Sequence, residues 1–76
     1  MFGNNTYKFS LSLDKESLLA IYKGTIQRVR VQTYEGLVID LDANHLKRFT
    51  TENGISGFFE LVTTKDNKFV KIRKIG

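Results

Sequence analysis

The imidazole of His45 is the one side chain in this sequence suited to general-base chemistry near neutral pH, because the chain has one His and no Cys. Asp42, Thr50 and Thr51 lie nearby in the sequence. A carboxylate, an imidazole and a hydroxyl are the groups that nucleophilic catalysis uses. No Gly-x-Ser-x-Gly sequence accompanies them. A surface histidine on a connecting turn is the simpler interpretation, so we expect no catalytic residues and a protein that is not an enzyme.

Metal and phosphate sites are not indicated either. With one His and no Cys, the chain cannot form the usual Cys/His ligand sets. The Gly-Ile-Ser-Gly sequence at 54–57 lacks the Lys-Ser/Thr ending and the following helix of a phosphate loop. Turn geometry explains its glycines sufficiently. We therefore expect no metal and no cofactor.

Positive charge is concentrated near the end of the chain, whose net charge is +4. Single-stranded nucleic-acid binders use lysines next to aromatic rings on a small sheet, since the rings stack bases while the lysines follow the backbone. A charged last strand also protects a sheet edge, and this interpretation is favoured because the chain has no known RNA or DNA motif. The candidate nucleic-acid-binding residues are Lys47, Arg48, Lys65, Lys68, Lys71 and Lys74.

Arg28 and Arg30 lie on one face of a predicted strand at 26–33, where they could bind phosphate. A three-residue turn that ends at Gly36 joins this strand to the next one at 37–42. It matches the apolar face, places opposite charges across from each other, and gives a glycine the left-handed position. The predicted pairs are Arg28 with Asp42, Val29 with Leu41, Arg30 with Asp40, and Val31 with Ile39. We therefore expect aspartates to neutralise both arginines.

The first part of the chain predicts a strand and then a helix. Apolar and polar residues alternate at 7–13, which is typical of a half-buried strand. Asp14 is a good N-cap, Gly24 is a natural residue after a helix end, and the residues between them carry one apolar stripe. Further along the chain, Asp42 is expected to cap a single helical turn at 43–46.

The last hairpin is predicted from strands at 58–64 and 69–75, joined by a loop centred on Asp66 and Asn67. The expected pairs are Thr63 with Val70, Leu61 with Ile72, and Glu60 with Arg73. The other face of this hairpin then carries an apolar set that is unusual for a solvent-facing surface. This set is our candidate interface: Phe58, Val62 and Phe69.

These elements predict an α+β fold in one small domain, 1–76, with residues 1–5 disordered. We expect the order β-α-β-β-β-β and one twisted or partly barrel-like antiparallel sheet with a single helix packed on it, because the connections after Gly24 are too short for parallel crossovers. The predicted core is Phe9, Leu11, Leu18, Ile21, Val29, Val31, Ile39, Leu41, Leu46, Phe49, Phe59, Leu61, Val70 and Ile72.

Size and composition favour a protein that associates. A chain of 76 residues buries little apolar surface and so has a small free energy of unfolding. Disulfide bonds cannot stabilise it, because it has no Cys. The first residues lack a signal-peptide stretch, and no segment has about 20 apolar residues, so we expect a cytoplasmic protein that does not enter a membrane. The favoured function is a protein-interaction or self-assembling module. Its expected partner is a second copy of the chain, in a homo-oligomer, or another protein. The alternative is a weak nucleic-acid-binding domain that uses the basic last hairpin.

Several features of the chain occur together: Leu46 with Phe49, the stretch from Thr51 through Gly-Ile-Ser-Gly at 54–57, Phe59 with Leu61, and Tyr22 before Gly24 at the helix end. In these features the chain resembles domain-of-unknown-function family 2835, a small bacterial family. This sequence departs from the family pattern at Arg48, where proline is frequent, and at Phe58, where a basic residue is frequent. The resemblance supports the architecture and implies no activity.

Overall fold

Antiparallel strands make up most of the fold, as the alternating sequence predicts. The computed structural model describes residues 3–76 and confirms a small α+β domain. The predicted disordered segment, 1–5, falls partly on residues 1 and 2, which lie outside the described residues; Asn5 is the first residue of a strand. In chain order the elements are β1 Asn5–Leu13, α1 Lys15–Tyr22, β2 Arg28–Gln32, β3 Val38–Asp42, a 3-10 helix Ala43–Phe49, β4 Ile55–Thr63 and β5 Phe69–Lys74.

The strands form two sheets, so the expectation of one partly barrel-like sheet is wrong. One sheet has the order β1-β4-β5, and the other contains β2 and β3. They meet at a single antiparallel bridge between Phe9 and Thr33, next to a hydrogen bond in which the Tyr34 N–H donates to the Lys8 carbonyl over 3.0 Å. β2 is five residues long and reaches β1 only at its end. The two sheets therefore do not close into a barrel; β3 and β5 are the strands farthest from the bridge that joins β1 and β2.

Capping residues set where both helices begin. The Asp14 carboxylate accepts a hydrogen bond from the Ser17 N–H over 2.8 Å. Hydrogen bonds from the Ser17 backbone, and then from its side chain, hold the pKa of Asp14 below its ordinary value of 3.8. Because the folded-state pKa is lowered, the charged cap stabilises the helix at higher pH and is lost as pH falls through that lowered pKa.

The second helix is longer than expected. Asp42 caps it as predicted, since its carboxylate accepts from the Asn44 N–H over 2.9 Å. The single turn predicted at 43–46 continues as a 3-10 helix to Phe49, so the expectation of one helix is wrong. Burial explains why the helix continues to Phe49. Leu46 is fully buried, and the Phe49 ring packs edge-on against the Phe59 ring, with 5.1 Å between the ring centroids.

The core lies between the two sheets and the two helices. Its buried residues are Phe9, Leu18, Ile21, Val29, Val31, Leu41, Ala43, Leu46, Ile55, Phe59, Leu61 and Ile72. Leu11, Ile39 and Phe49 are partly buried against it. Every predicted core residue is therefore in or against the core except Val70, which is 45% exposed.

A bulge in the last hairpin explains the error at Val70. Leu61 pairs with Ile72 and Glu60 with Arg73, as predicted, but Thr63 pairs with Phe69 and not with Val70. The register shifts between Val62 and Thr63, so that Val70 is the extra residue. By contrast, all four predicted pairs of the β2–β3 hairpin are confirmed.

Backbone packs directly against backbone where β4 begins. Gly54 has φ +119°, and a Cβ atom on it would overlap the carbonyl oxygen of Leu13. Gly36 also has a positive φ, +90°, but a Cβ atom there would meet nothing within 4 Å. A substitution at Gly36 therefore adds only backbone strain, whereas a substitution at Gly54 adds both backbone strain and a steric clash.

We predict that Gly54→Ala destabilises the fold much more than Gly36→Ala. Gly36→Ala should cost about 1–2 kcal/mol, because it introduces only a left-handed non-glycine residue. Gly54→Ala adds displacement of the Leu13 backbone and should leave much of the chain unfolded, given the small margin of a domain this size. Urea denaturation followed by circular dichroism measures both. Equal stabilities of the two variants would contradict the close approach.

Candidate functional site

An open cleft of about 580 Å³ lies where the two sheets diverge. The whole of β3 lines one side, and Tyr7, Leu61 and Thr63 from the three-stranded sheet line another. The rings of His45 and Phe69 also border it. The cleft is therefore built from residues of β1, β3, β4, β5 and the 3-10 helix, and so of both sheets.

His45 stacks on Phe69 and is not arranged as a catalytic base. The two ring centroids are 3.7 Å apart, with 4° between the ring planes. The Asp42 carboxylate is used as a helix cap. The hydroxyls that lie near His45 in the sequence are engaged locally, since Thr50 donates to the Lys47 carbonyl over 2.6 Å and Thr51 donates to the Gly54 carbonyl over 2.8 Å. His45 thus connects the 3-10 helix to β5.

The turn between β4 and β5 is held at the border of the cleft. The Tyr7 hydroxyl donates to the Asn67 side-chain oxygen over 3.0 Å, and the Asn5 amide donates to the same oxygen over 3.3 Å. Asn67 itself has φ 63°, the left-handed conformation that asparagine tolerates in a turn. These bonds fix the strand end that carries Phe69.

The arginines of β2 are only partly neutralised by aspartates. Arg28 lies opposite Asp42 in the ladder but reaches diagonally to Asp40: its Nε is 3.3 Å from the carboxylate, and its Nη2 donates to the Asp40 carbonyl over 3.0 Å. Among residues 3–76, Arg30 has no ion-pair partner within 4.0 Å, so that expectation is wrong. The reason is that Arg28 occupies Asp40 while Asp42 caps the 3-10 helix.

The outer edge of β3 is free. In the β2–β3 hairpin the Thr33 N–H donates to the Leu37 carbonyl, and the Ala43 N–H donates to the Gln27 carbonyl. Alternation then points the backbone groups of Val38 and Asp40 away from β2. Leu37 and Val38 are 51% and 60% exposed. The edge therefore combines outward backbone groups, of which the Asp40 carbonyl accepts from Arg28, with apolar side chains.

The candidate interface of Phe58, Val62 and Phe69 is not one surface. Phe58 and Val62 alternate with the buried residues of β4 and lie on the outer face of the three-stranded sheet. Val62 is buried on that face, whereas Phe58 is 51% exposed. The bulge places Phe69 on the opposite face, against His45. The structure therefore separates the rings that the sequence placed together.

The candidate nucleic-acid-binding residues of the last hairpin are also dispersed. Lys71 pairs with Val62 and shares the outer face with it. Lys74 pairs with Phe59 on the other side of the sheet and lies against Gly57. Lys65 and Lys68 belong to the connection between β4 and β5.

The two candidate cations of the 3-10 helix lie against aromatic rings. The Lys47 ammonium is 5.3 Å from the centre of the Tyr22 ring, and the Arg48 guanidinium is 5.0 Å from the centre of the Phe49 ring. Both distances fit cation–π contacts, which help to hold the helices on the core. These cations do not share a face with Lys71.

The model of one protein family covers nearly the whole chain. The model of the family described as "Protein of unknown function (DUF2835)" matches residues 5–75. The chain is a member of the DUF2835 family. The match spans all five strands and both helices of this DUF2835 chain. No curated protein and no solved structure matches it.

Two other features are absent from the described part of the DUF2835 chain, a cluster of metal ligands and a membrane-spanning helix. Among residues 3–76, no three His, Cys, Asp or Glu side chains are grouped so that they could hold one metal ion. Neither helix in the same part of the chain has the length and apolar character that crossing a membrane requires.

Sequence reasoning missed Leu37 and Val38 of the DUF2835 chain as candidate functional residues. A signal for Val38 was present, because it is an apolar residue on a strand face otherwise occupied by Arg28, Arg30 and Asp40. Lys8 was also missed as a candidate binding residue. The pairing of β1 with β4 brings it onto the same sheet face as Phe58, and that long-range pairing is not visible in the sequence.

We predict a measurable coupling between His45 and Phe69. In a double-mutant cycle of His45→Ala and Phe69→Ala, the interaction free energy from urea denaturation should be about 0.5–1.5 kcal/mol, the range for a stacked ring pair. Asn44→Ala, an exposed neighbour in the same helix, should show no coupling with Phe69→Ala. Additive effects of the His45 and Phe69 variants would contradict a stabilising stack.

Proposed function

We propose that this DUF2835 protein is a non-enzymatic interaction module that associates with a second copy of itself through the free edge of β3. The supporting observation is that Val38 and Asp40 direct backbone groups outward on the side of β3 that has no neighbouring strand, next to exposed apolar side chains. Edges of this kind pair with other strands unless they are protected. A small chain also gains burial from association that it cannot supply alone.

The β3 edge is complementary to itself in one antiparallel register. A two-fold axis at Ile39 sets Val38 of each copy opposite Asp40 of the other, so that the outward N–H and C=O groups of both residues find partners. It also sets Leu37 opposite Leu41 on the cleft side, where both are apolar. Moving the axis to Asp40 would set two like charges directly opposite each other, which is unfavourable.

Arg28 competes with this pairing in the monomer. Its donation to the Asp40 carbonyl occupies one of the outward backbone acceptors. The Arg28 and Asp40 side chains are each 56% exposed, so their ion pair contributes little to stability. Association therefore exchanges one exposed side-chain hydrogen bond for backbone hydrogen bonds between copies.

A non-enzymatic role is supported by how the reactive groups are used. The imidazole of His45 packs face to face on Phe69, and the neighbouring carboxylate and hydroxyls serve as caps of local turns. Nucleophilic catalysis instead requires a base within hydrogen-bond reach of the nucleophile. The cleft that His45 borders is continuous with β3, so these residues belong to the same proposed surface.

We predict that Val38→Pro abolishes self-association while Arg28→Ala strengthens it. Proline removes only an outward N–H at position 38 and is tolerated on a free edge. Arg28→Ala frees the Asp40 carbonyl and should tighten association about fivefold, as expected for a net hydrogen bond of about 1 kcal/mol. Sedimentation velocity over a micromolar concentration series measures both effects.

Val38→Thr is the matched control, because it keeps the N–H and the β-branched shape and should associate like the wild type. A wild-type protein that remains monomeric throughout the series would overturn the proposal. Capture of a different protein by a monomeric wild type would likewise replace a second copy as the partner.

A further inference from the structure

The outer face of the three-stranded sheet has no element of residues 3–76 packed on it. Both helices pack on the opposite face, where Leu18, Ile21 and Leu46 join the core. The outward side chains of this face are Thr6, Lys8, Ser10 and Ser12 from β1, Ser56, Phe58, Glu60 and Val62 from β4, and Lys71 and Arg73 from β5. All of these side chains are exposed except those of Glu60 and Val62.

This outer face is positively charged. It carries Lys8, Lys71 and Arg73 against the single carboxylate of Glu60. Glu60 is already engaged, since the Arg73 Nε is 2.7 Å from its carboxylate oxygen. Within residues 3–76 neither Lys8 nor Lys71 has an ion-pair partner. The two free ammonium groups stand on the strands that flank β4, so they lie on both sides of the central strand.

The ring of Phe58 is 51% exposed on this face. On the β1 side its direct cross-strand partner is Ser10, and Ser56 precedes it by two residues on the same strand and face. On the β5 side the Ile75 N–H donates to the Phe58 carbonyl, and Gly76 lies against the ring. The small side chains of Ser10 and Ser56 leave room beside the ring, and their hydroxyls can donate and accept hydrogen bonds. An exposed aromatic ring among small hydroxylated residues is suited to stacking a flat, polar ring.

We propose that this outer face binds single-stranded nucleic acid. A base stacks on Phe58, the hydroxyls of Ser10 and Ser56 contact base edges, and the ammonium groups of Lys8 and Lys71 contact phosphates. The two cations flank β4 level with Glu60 and Val62, so a single strand that leaves the Phe58 ring along β4 in that direction passes between them. A duplex is disfavoured because its bases are already stacked and the face presents no helix or arm for a groove.

The binding surface differs from the basic last hairpin as a whole. Of the five lysines and one arginine first considered, only Lys71 occupies a strand position on this face with Phe58. Lys8 joins it because β1 pairs with β4 along its whole length. The face is also separate from the β3 edge, so binding does not depend on self-association.

The test is fluorescence anisotropy with a labelled oligouridylate of about ten nucleotides at low salt. Phe58→Ala should weaken binding about five- to 150-fold, the range for the loss of one stacked base. Phe69→Ala is the matched control, because it removes an exposed ring from the cleft instead. Circular dichroism checks that both variants are folded. Equal losses in the two variants would overturn the stacking assignment.

Charge reversals test the phosphate contacts. Lys71→Glu should weaken binding strongly. It should also make the negative slope of log affinity against log salt shallower by about 0.7, the value for one phosphate contact on a single strand. Lys47→Glu makes the same change in net charge away from this face and should leave that slope unchanged. Equal effects at the two lysines, or a duplex that binds as well as the single strand, would overturn the proposal.

The same oligouridylate titration with the Val38→Pro variant distinguishes nucleic-acid binding by the outer face from self-association through β3. Unchanged binding by this variant is the expected result, because the outer face is intact in a monomer. Loss of binding would show that the nucleic-acid site needs the β3 edge and would overturn the independent outer-face site. Absence of any binding by the wild type at low salt would overturn it directly and leave the self-association result unaffected.

Discussion

The whole arrangement depends on how one phenylalanine joins the two sheets. Phe9 is fully buried, lies opposite Phe59 in the β1–β4 ladder, and stacks on its ring at 5.7 Å. The backbone of Phe9 also forms the one bridge to Thr33 at the end of β2. The β2–β3 hairpin is therefore anchored to β1 near a single point. Because the sheets diverge beyond that point, the fold has a cleft and two free edges where a closed barrel would have neither.

The parts of the fold that the sequence predicted are those fixed by neighbouring residues. The β2–β3 register follows from Gly36 at the turn and from arginines opposite aspartates, and a shift by one residue would have placed apolar residues on the charged face. The two caps follow from Asp14 and Asp42. Such local constraints act over a few residues, so they can be found without knowing the fold.

The parts that the sequence did not predict depend on distant residues or on a broken period. The bulge at Val70 changes which face Phe69 occupies, and no alternation of apolar residues reveals it, because Val70 and Phe69 are both apolar. The cleft depends on where the sheets separate, and the outer face depends on the pairing of β1 with β4. For this reason the individual candidate residues were identifiable while the surfaces that they form were not.

The outer edges of β3 and β5 are unequal, and this limits what self-association through a strand edge would build. β5 contains an extra residue that breaks its register, and it carries Lys71, Arg73 and Lys74, so it is a poor template for another strand. β3 has no register shift in its pairing with β2. A chain with one usable edge is saturated after a single symmetric contact, because that contact consumes the same edge in both copies. Such a chain forms closed pairs and does not grow into fibres.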